Sequence, residues 1–439
     1  YGVAFGVSGE LAAMPDNPTS AFIWPNPFSS NSGKIDDLRH AAYNGRGRFL
    51  SAQNPTELVD ALDEELGHIG TRIGSAAGLA VSSNTLRTGT LIYQPKFDTA
   101  DWSGQLLAIP INSDGTVGAA VWDAKEVLET QDFDTQRQIV TYNSALSIPE
   151  KGVPFRFDSL SATQQALLND DPVTDGVDND GEGAARLNYL RGDDSHEGQG
   201  NNYRVRGSKL GDINHSSPFF VGPPSFRYSD RLETERYSAF RALLRDRKSM
   251  VYVGANDGML HGFDAATGTE LLAYVPEMLF SELASLTDPN YVHRYFVDGS
   301  PNVGDAFVQG NWKSVLVSGL RAGGQGVFAL DVTNPAGFIE AHAPDIAMWE
   351  FTDADDADLG FLYGRPSIVR MANGKWAAVF GNGYNNTAED GHVSATGHAV
   401  LYIVFIEEGL DGVWQTGDFV KLDTGVGTVL SPNGLAEPA

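Results

Sequence analysis

Three segments of this chain are written to one plan, and that plan restricts the fold more than any other feature. "KSMVYVGANDGMLHGFDAATG" (248–268), "KSVLVSGLRAGGQGVFALDVTNP" (313–335) and "KWAAVFGNGYNN" continued by "AVLYIVFIEEG" (375–409) share it. Each opens on a lysine, runs a strand into a glycine, turns in a Gly-rich hairpin and closes on a second strand. A proline-led strand stands ahead of each: Pro218 in "SSPFFVG", Pro301 in "GSPNVGDAFV" and Pro366 in "GRPSIVRM". Proline has no N–H to give a ladder, so the start of a strand is where it fits. The starts at 248, 313 and 375 are further apart than a minimal four-stranded repeat needs, and insertions account for the excess. This predicts a radial array of four-stranded blades, a β-propeller. "LIYQPKFDTADWSGQLLAIPINSDGT" (91–116) reads as an earlier blade, with Asp101-Trp102-Ser103-Gly104 at its hairpin.

Composition agrees with a mostly β chain. The 439 residues include 49 glycines, 21 prolines, 15 tyrosines and 23 phenylalanines, a mixture suited to short strands and turns. At this length two or three domains have room for cores. The formal charge of −27 repels nucleic acid and anionic membranes, so neither is an expected partner. With no cysteine there are no disulfides and no thiolate metal sites, which suits a bacterial surface protein. No apolar run approaches the roughly 20 residues that cross a bilayer, and no basic-then-apolar leader opens the chain. Because it starts inside the strand-like "YGVAFGVSG", an internal piece of a longer exported protein is expected, its signal peptide not in this chain.

Residues 1–72 follow a different rule, alternating strand and helix. Leu58, Leu62, Leu66 and Ile69 recur at helical spacing behind Asn54-Pro55-Thr56-Glu57, a cap with a first-turn proline. "AAYNGRGRFLSAQNPTELVDALDEEL" resembles the closing segment of von Willebrand factor type A domains, although the D-x-S-x-S metal motif of that family is absent. The small-residue stretch "GSAAGLAVSSNT" (74–85) places a linker at 73–86 and the propeller at 87–439, incomplete at its C-terminal end. Helical insertions are predicted at 229–247 and 277–286.

"VYVGANDGMLHGFDAATGTELLAYVP" is similar to blades of the quinoprotein dehydrogenase type. Taken with "DWSGQLLA", "ARLNYLRGD", "YFVDGSPNVGDAF", "GGQGVFALDV" and "GRPSIVRMANGKWAAVFGNGYNN", it makes residues 85–410 resemble the C-terminal domain of PilY-type type IV pilus biogenesis factors. The resemblance implies a von Willebrand A-like region ahead of the propeller and a place at the pilus tip or outer membrane. It also implies a role in pilus extension, retraction and adhesion, with minor pilins and other pilus components as partners. A late calcium loop of that family is not reached before Ala439.

Two stretches invite a site. Calcium takes oxygen ligands at alternating positions on a glycine-bent loop. Asp171, Asp175 and Glu182 fit the first, fifth and twelfth positions of such a loop, with Val173 a mismatch at the third, a Val177 carbonyl available and Asn179 at the ninth. Asp178 and Asp180 offer a second register. The alternative is a solvated acidic turn. Arg191-Gly192-Asp193 follows; it reads either as an exposed tripeptide for a host or surface receptor of the integrin kind, or as ordinary turn residues. The acidic "TDADDAD" (352–358) has only charge to recommend it.

An enzymatic alternative, a pyrroloquinoline quinone dehydrogenase relative, follows from the blade motif alone. Against it, the vicinal disulfide of the best-known members is impossible without cysteine, and Tyr274 stands where a docking tryptophan is expected. His261 reads as a satisfied core histidine. No catalytic constellation is found, so the expectation is a non-enzymatic, calcium-dependent binding protein.

Overall fold

The computed structural model describes residues 2–5, 9–11, 23–44, 49–52, 78–81, 90–112, 114–174, 178–198, 203–387 and 391–438. The chain divides into two compact units, Tyr1–Ile73 and Gly74–Ala439. In the first, β1 (Gly2–Phe5) pairs in parallel with β2 (Phe49–Ala52). A parallel pair requires a crossover, and α1 (Asn31–Asn44) stands between them in sequence. Asp36 is buried and accepts the backbone N–H groups of Glu10 (2.6 Å) and Leu11 (3.1 Å), while Trp24 stacks on His40 at 4.0 Å. The helix expected over 54–69 lies outside the described residues.

The described residues of the second unit form four blades. The first consists of β3 (Ala80–Val81), β4 (Leu91–Asp98), β5 (Ser103–Pro110) and β6 (Trp122–Asp123). After an intervening hairpin, β7 (Ile139–Tyr142) and β8 (Gly152–Pro154), comes the second, β9 (Phe219–Val221), β10 (Met250–Gly254), β11 (Leu260–Asp264) and β12 (Glu270–Val275). The third is β13 (Asn302–Val308), β14 (Asn311–Gly319), β15 (Gly326–Asp331) and β16 (Ala347–Thr352). The fourth is β17 (Ser367–Arg370), β18 (Trp376–Gly381), β19 (His398–Phe405) and β20 (Phe419–Gly427). Within each blade the strands pair in sequence order and antiparallel. The first strands are neighbours in space, β3 of β9, β9 of β13 and β13 of β17, as radial blades require. Pro218, Pro301 and Pro366 each immediately precede the first strand of a blade, where no ladder donor is lost.

The core lies between consecutive sheets. Tyr93, Leu106 and Trp122 of the first blade meet Val251, Val253 and Phe263 of the second; Val315, Val327 and Trp349 of the third meet Ala378, Phe380 and Tyr402 of the fourth. Both faces of a blade are therefore covered, and all five residues of β10 are buried. This explains why "MVYVG" is an unbroken apolar run rather than an alternation. Each such side chain contributes about 1.5–3 kcal/mol by leaving water.

The strand-ending glycines have a common task. A Cβ on Gly254 would sit 2.2 Å from the Val297 carbonyl oxygen, one on Gly319 2.7 Å from Leu362, and one on Gly381 2.4 Å from the Leu435 oxygen. Val297 and Leu362 lie on the chain running into β13 and β17. At each glycine a passing segment crosses the end of the second strand too closely for any side chain.

Residues 124–217 form a long insertion between the first two blades. It holds α2 (Ala124–Thr130), the β7–β8 hairpin, α3 (Ala162–Leu168) and α4 (Gly183–Arg191). Strand β7 adds in parallel to the outer edge of β12, Tyr274 opposite Val140, so the second sheet has six strands. The two expected helical insertions are shorter than predicted. Over 229–247 only α5 (Tyr237–Leu243) is helical, because Asp230 bonds Ser238 N at 2.8 Å and Tyr228 stacks on Trp312, fixing the preceding segment as a loop. Over 277–286 short 3-10 turns flank one helical turn, Phe280–Leu283.

Candidate functional site

The acidic loop lies in this insertion, between α3 and α4. Ser161 opens α3 with a capping box, and after the helix the chain folds back on itself. Asp170 bridges Asn179, Asp171 N donates to the Asp178 carbonyl at 2.9 Å, and Asp178 N donates to Asp170 Oδ1 at 2.7 Å. Gly181 turns at φ +78°, and Glu182 stands at the N-cap position of α4 without a side-chain capping bond. Asp180 does not face solvent alone: it forms a two-pronged pair with the buried Arg186, which holds its carboxyl below the usual range. Asp171 lies 3.8 Å from the same guanidinium. Asp178, Asn179 and Glu182 are exposed, whereas Asp175 and Val177 fall outside the described residues. Among the described residues no cluster of three or more His, Asp or Glu side chains is arranged to hold a metal ion.

Arg191 is not where an exposed tripeptide would put it. Its side chain is fully buried, and its guanidinium donates to Glu340 Oε1 at 2.8 Å and to the carbonyls of Phe155 and Phe133, each at 3.0 Å. Gly192 ends α4 in the left-handed region at φ +118°, its N–H returning to Asn188 and Tyr189, as helix C-termini favour. Asp193 is half-buried and accepts from Ser195 N at 2.9 Å. The expectation of an exposed receptor-binding turn is corrected accordingly: Arg191-Gly192-Asp193 is a helix terminus whose cation faces inward.

Beside Arg191 lies a second buried charge network that sequence reasoning missed. Arg137 grips Glu270 with Nε at 2.6 Å and Nη2 at 2.9 Å, and donates Nη1 to the Arg191 carbonyl. Glu270 Oε1 is also 2.7 Å from His261 Nδ1, and His261 Nε2 reaches Asp257 at 3.1 Å. Burial disfavours the imidazolium, but Asp257 and Glu270 outweigh it, and the pKa of His261 is pushed up to about 9. Burial likewise opposes ionised Glu270, yet Arg137 and His261 bring it down to about 2. These charges tie the insertion to the second blade, and Glu340, shared by Arg191 and Arg156, ties it to the third. Only one signal could have exposed them: a charged residue in an otherwise apolar strand, as Glu270 is in "ELLAYV", must be paired once buried. His261 is the satisfied core histidine expected.

A third buried carboxyl faces the insertion. Glu350 accepts Tyr274 Oη at 2.6 Å and the N–H groups of Glu277 (2.7 Å) and Met278 (3.3 Å). These donors favour the carboxylate, but burial and neighbouring Glu277 win and push Glu350 up to about 8. Tyr274 is therefore a core residue bonded to Glu350, with no free face to stack on a cofactor.

The family model of the PilY1 beta-propeller domain matches residues 210–439, the three later blades with the segment leading to them. The chain belongs to the PilY1 β-propeller family. It is 37% identical over 431 residues to the type IV pilus biogenesis factor PilY1 of Pseudomonas aeruginosa strain PAK, covering 94% of this chain and 35% of that protein. It is 33% identical over 379 residues to a PilY1 homologue of Xylella fastidiosa, covering 83% and 28%. The solved C-terminal domain of Pseudomonas aeruginosa PilY1 is 38% identical, with 50% of this chain and 39% of that one covered and a TM-score of 0.38. The chain thus spans about a third of the length of the PilY1 proteins it matches.

In this PilY1-family chain the "TDADDAD" stretch is structural. Asp356 and Asp358 hold Lys421 of β20 at 3.0 and 2.7 Å, and Asp356 accepts Tyr402 Oη at 2.8 Å. Among the described residues no helix is long and apolar enough to cross a membrane.

Proposed function

We propose that the chain is the propeller module of a non-enzymatic, surface-exposed type IV pilus factor. On this reading it binds minor pilins and other pilus components, at the pilus tip or the outer membrane, and supports assembly, the balance of extension and retraction, and adhesion. Kinship over nearly the whole chain to proteins named as pilus biogenesis factors carries the reading. The parallel strand–helix–strand arrangement of the first unit supports its assignment to the end of a von Willebrand A-like domain. Deleting the gene should abolish surface pili and twitching, and restoring it should return both; normal piliation in the deletion strain would refute the proposal.

Calcium belongs to the same proposal through residues 171–182. Exposed Asp178, Asn179 and Glu182 supply the hard oxygen donors calcium prefers, while Arg186 already neutralises Asp180. A ligand that binds only the folded state adds about 2.7 kcal/mol at a hundred times its Kd, so calcium should raise the melting temperature of chelator-treated protein by several degrees. Asp175→Ala and Glu182→Ala should each remove that rise. An unchanged melting curve would remove calcium from the proposal and leave the pilus role standing.

A further inference from the structure

The acidic loop already holds a cation of its own. Arg186, on α4, is 3% exposed, and its guanidinium lies between two loop carboxylates. Nη1 donates to Asp180 Oδ1 at 2.8 Å and Nη2 to Asp180 Oδ2, while Asp171 Oδ1 stands 3.8 Å from Nη2. Both carboxylates remain reachable from water, the side chains of Asp171 and Asp180 being 26% and 27% exposed. With Glu182 they line a hollow of about 600 Å3; a water takes about 30 Å3, so a hydrated ion fits. A divalent ion on these two carboxylates would meet a fixed positive charge in direct contact with them, and like charges so close repel strongly away from bulk water.

Two buried atoms beside this ion pair have no partner among the described residues. One is the donor Nε of Arg186, and the other is the hydroxyl of Tyr203, a residue more than nine-tenths buried. Tyr203 and Arg186 line the same hollow, and the hydroxyl lies within electrostatic reach of Arg186, Glu182, Asp180 and Asp171. A buried polar group without a bond is costly and calls for a reason. Here an orphan donor stands near an orphan acceptor, and both are satisfied if the guanidinium swings off Asp180. The Leu168 carbonyl, which accepts Nη1 at 3.0 Å, serves either position.

We propose that Arg186 is a tethered competitor for calcium at this loop, with two resting places. Without calcium it bridges Asp180 and Asp171. When calcium takes those carboxylates, the guanidinium moves to the Tyr203 hydroxyl and keeps the Leu168 carbonyl. Competition holds the affinity down to that of extracellular calcium modules, about 0.1–1 mM, so the loop fills only where calcium is plentiful. The inference rests on the calcium reading of residues 171–182 and adds to it the residue that sets the affinity.

Calorimetric titration of the full, chelator-stripped chain with calcium, with the melting temperature followed in parallel, compares the parent with three variants. Arg186→Gln removes the competing charge and should bind calcium at least about tenfold more tightly, even though its calcium-free form melts lower because Asp180 loses its partner. Arg186→Lys keeps the charge and should stay near the parent's affinity. Tyr203→Phe removes only the second resting place. It should weaken calcium by about threefold or more while leaving the calcium-free melting temperature unchanged or higher, since the hydroxyl it deletes makes no bond there. If Arg186→Gln fails to fold, Tyr203→Phe carries the test. Should neither the parent nor Arg186→Gln bind calcium, the calcium reading falls and this inference with it. Arg186→Gln binding calcium no more tightly than a calcium-binding parent, or Tyr203→Phe binding it equally well, would overturn the competitor and leave the calcium reading in place.

Discussion

Arg191 and Glu340, 149 positions apart in sequence, meet at 2.8 Å inside the protein. One ends a helix of the insertion and the other lies between β15 and β16 of the third blade, so their bond is a cross-brace rather than a display. Removing Glu340 leaves the buried Arg191 charged without its carboxylate, at a cost of about 3–5 kcal/mol, whereas removing Arg191 leaves Glu340 paired with Arg156 and should cost less, about 1–3 kcal/mol. Glu340→Ala and Arg191→Ala should lower stability to urea in that order, and the double mutant by less than the sum. Asp193→Ala, on a half-exposed residue, should change it by less than about 0.5 kcal/mol. Equal effects at Arg191 and Asp193 would contradict the brace.

Stability should fall from mildly acidic to alkaline pH. Glu350 has its pKa raised from 4.5 to about 8, so its contribution is whole below 4.5 and is lost as the pH rises through 8. His261, raised from 6.5 to about 9, keeps its contribution below 6.5 and loses it towards 9. Glu270, lowered from 4.5 to about 2, acts oppositely, its contribution lost only as the pH falls from 4.5 through 2. The three windows put the maximum near pH 4.5, with Glu350 lost first as the pH rises and His261 after it. Glu350→Gln keeps acceptors for Tyr274 and Glu277 and cannot ionise, so its melting temperature should gain on that of the parent between pH 5 and 9. A gap between the two proteins that does not change with pH would refute the shift at Glu350.

The blades were legible in sequence because their information is local. A proline before the first strand, a glycine ending the second and an unbroken apolar run each follow from backbone chemistry within a few residues, and the strands at 219–221, 302–308 and 367–370 begin directly after Pro218, Pro301 and Pro366. The insertion was not legible, because its structure is set by distant partners. Nothing within reach of Arg191 in sequence shows that Glu340 awaits it, so the tripeptide read as a surface turn. The shortened helix over 229–247 has the same cause: Tyr228 is drawn onto Trp312, and tertiary packing overrides local helical propensity. The acidic loop was recognised from composition, but the capture of Asp180 by Arg186, six residues on, required the helix geometry that brings them together.

The crossing glycines give the sharpest test of the blade plan. Gly254 ends β10 where the Val297 carbonyl passes, and an added Cβ would lie 2.2 Å from that oxygen and 2.9 Å from a Val297 methyl. Neither atom is the end of a flexible side chain, so Gly254→Ala must displace the backbone that delivers Phe296 and Val297 to the core beside the third blade. Overpacking of this kind costs about 1–3 kcal/mol, and more where backbone must move. At Gly310, in the β13–β14 turn, nothing lies within 4 Å of an added Cβ, and the cost arises only from the left-handed φ of +77°, about 1–2 kcal/mol. Urea unfolding should therefore rank Gly254→Ala as the more destabilised, with Gly381→Ala, crossed by the Leu435 oxygen at 2.4 Å, also showing a loss. If Gly254→Ala were tolerated as well as Gly310→Ala, close crossing could not be the reason the second strands of the three later blades end on glycine.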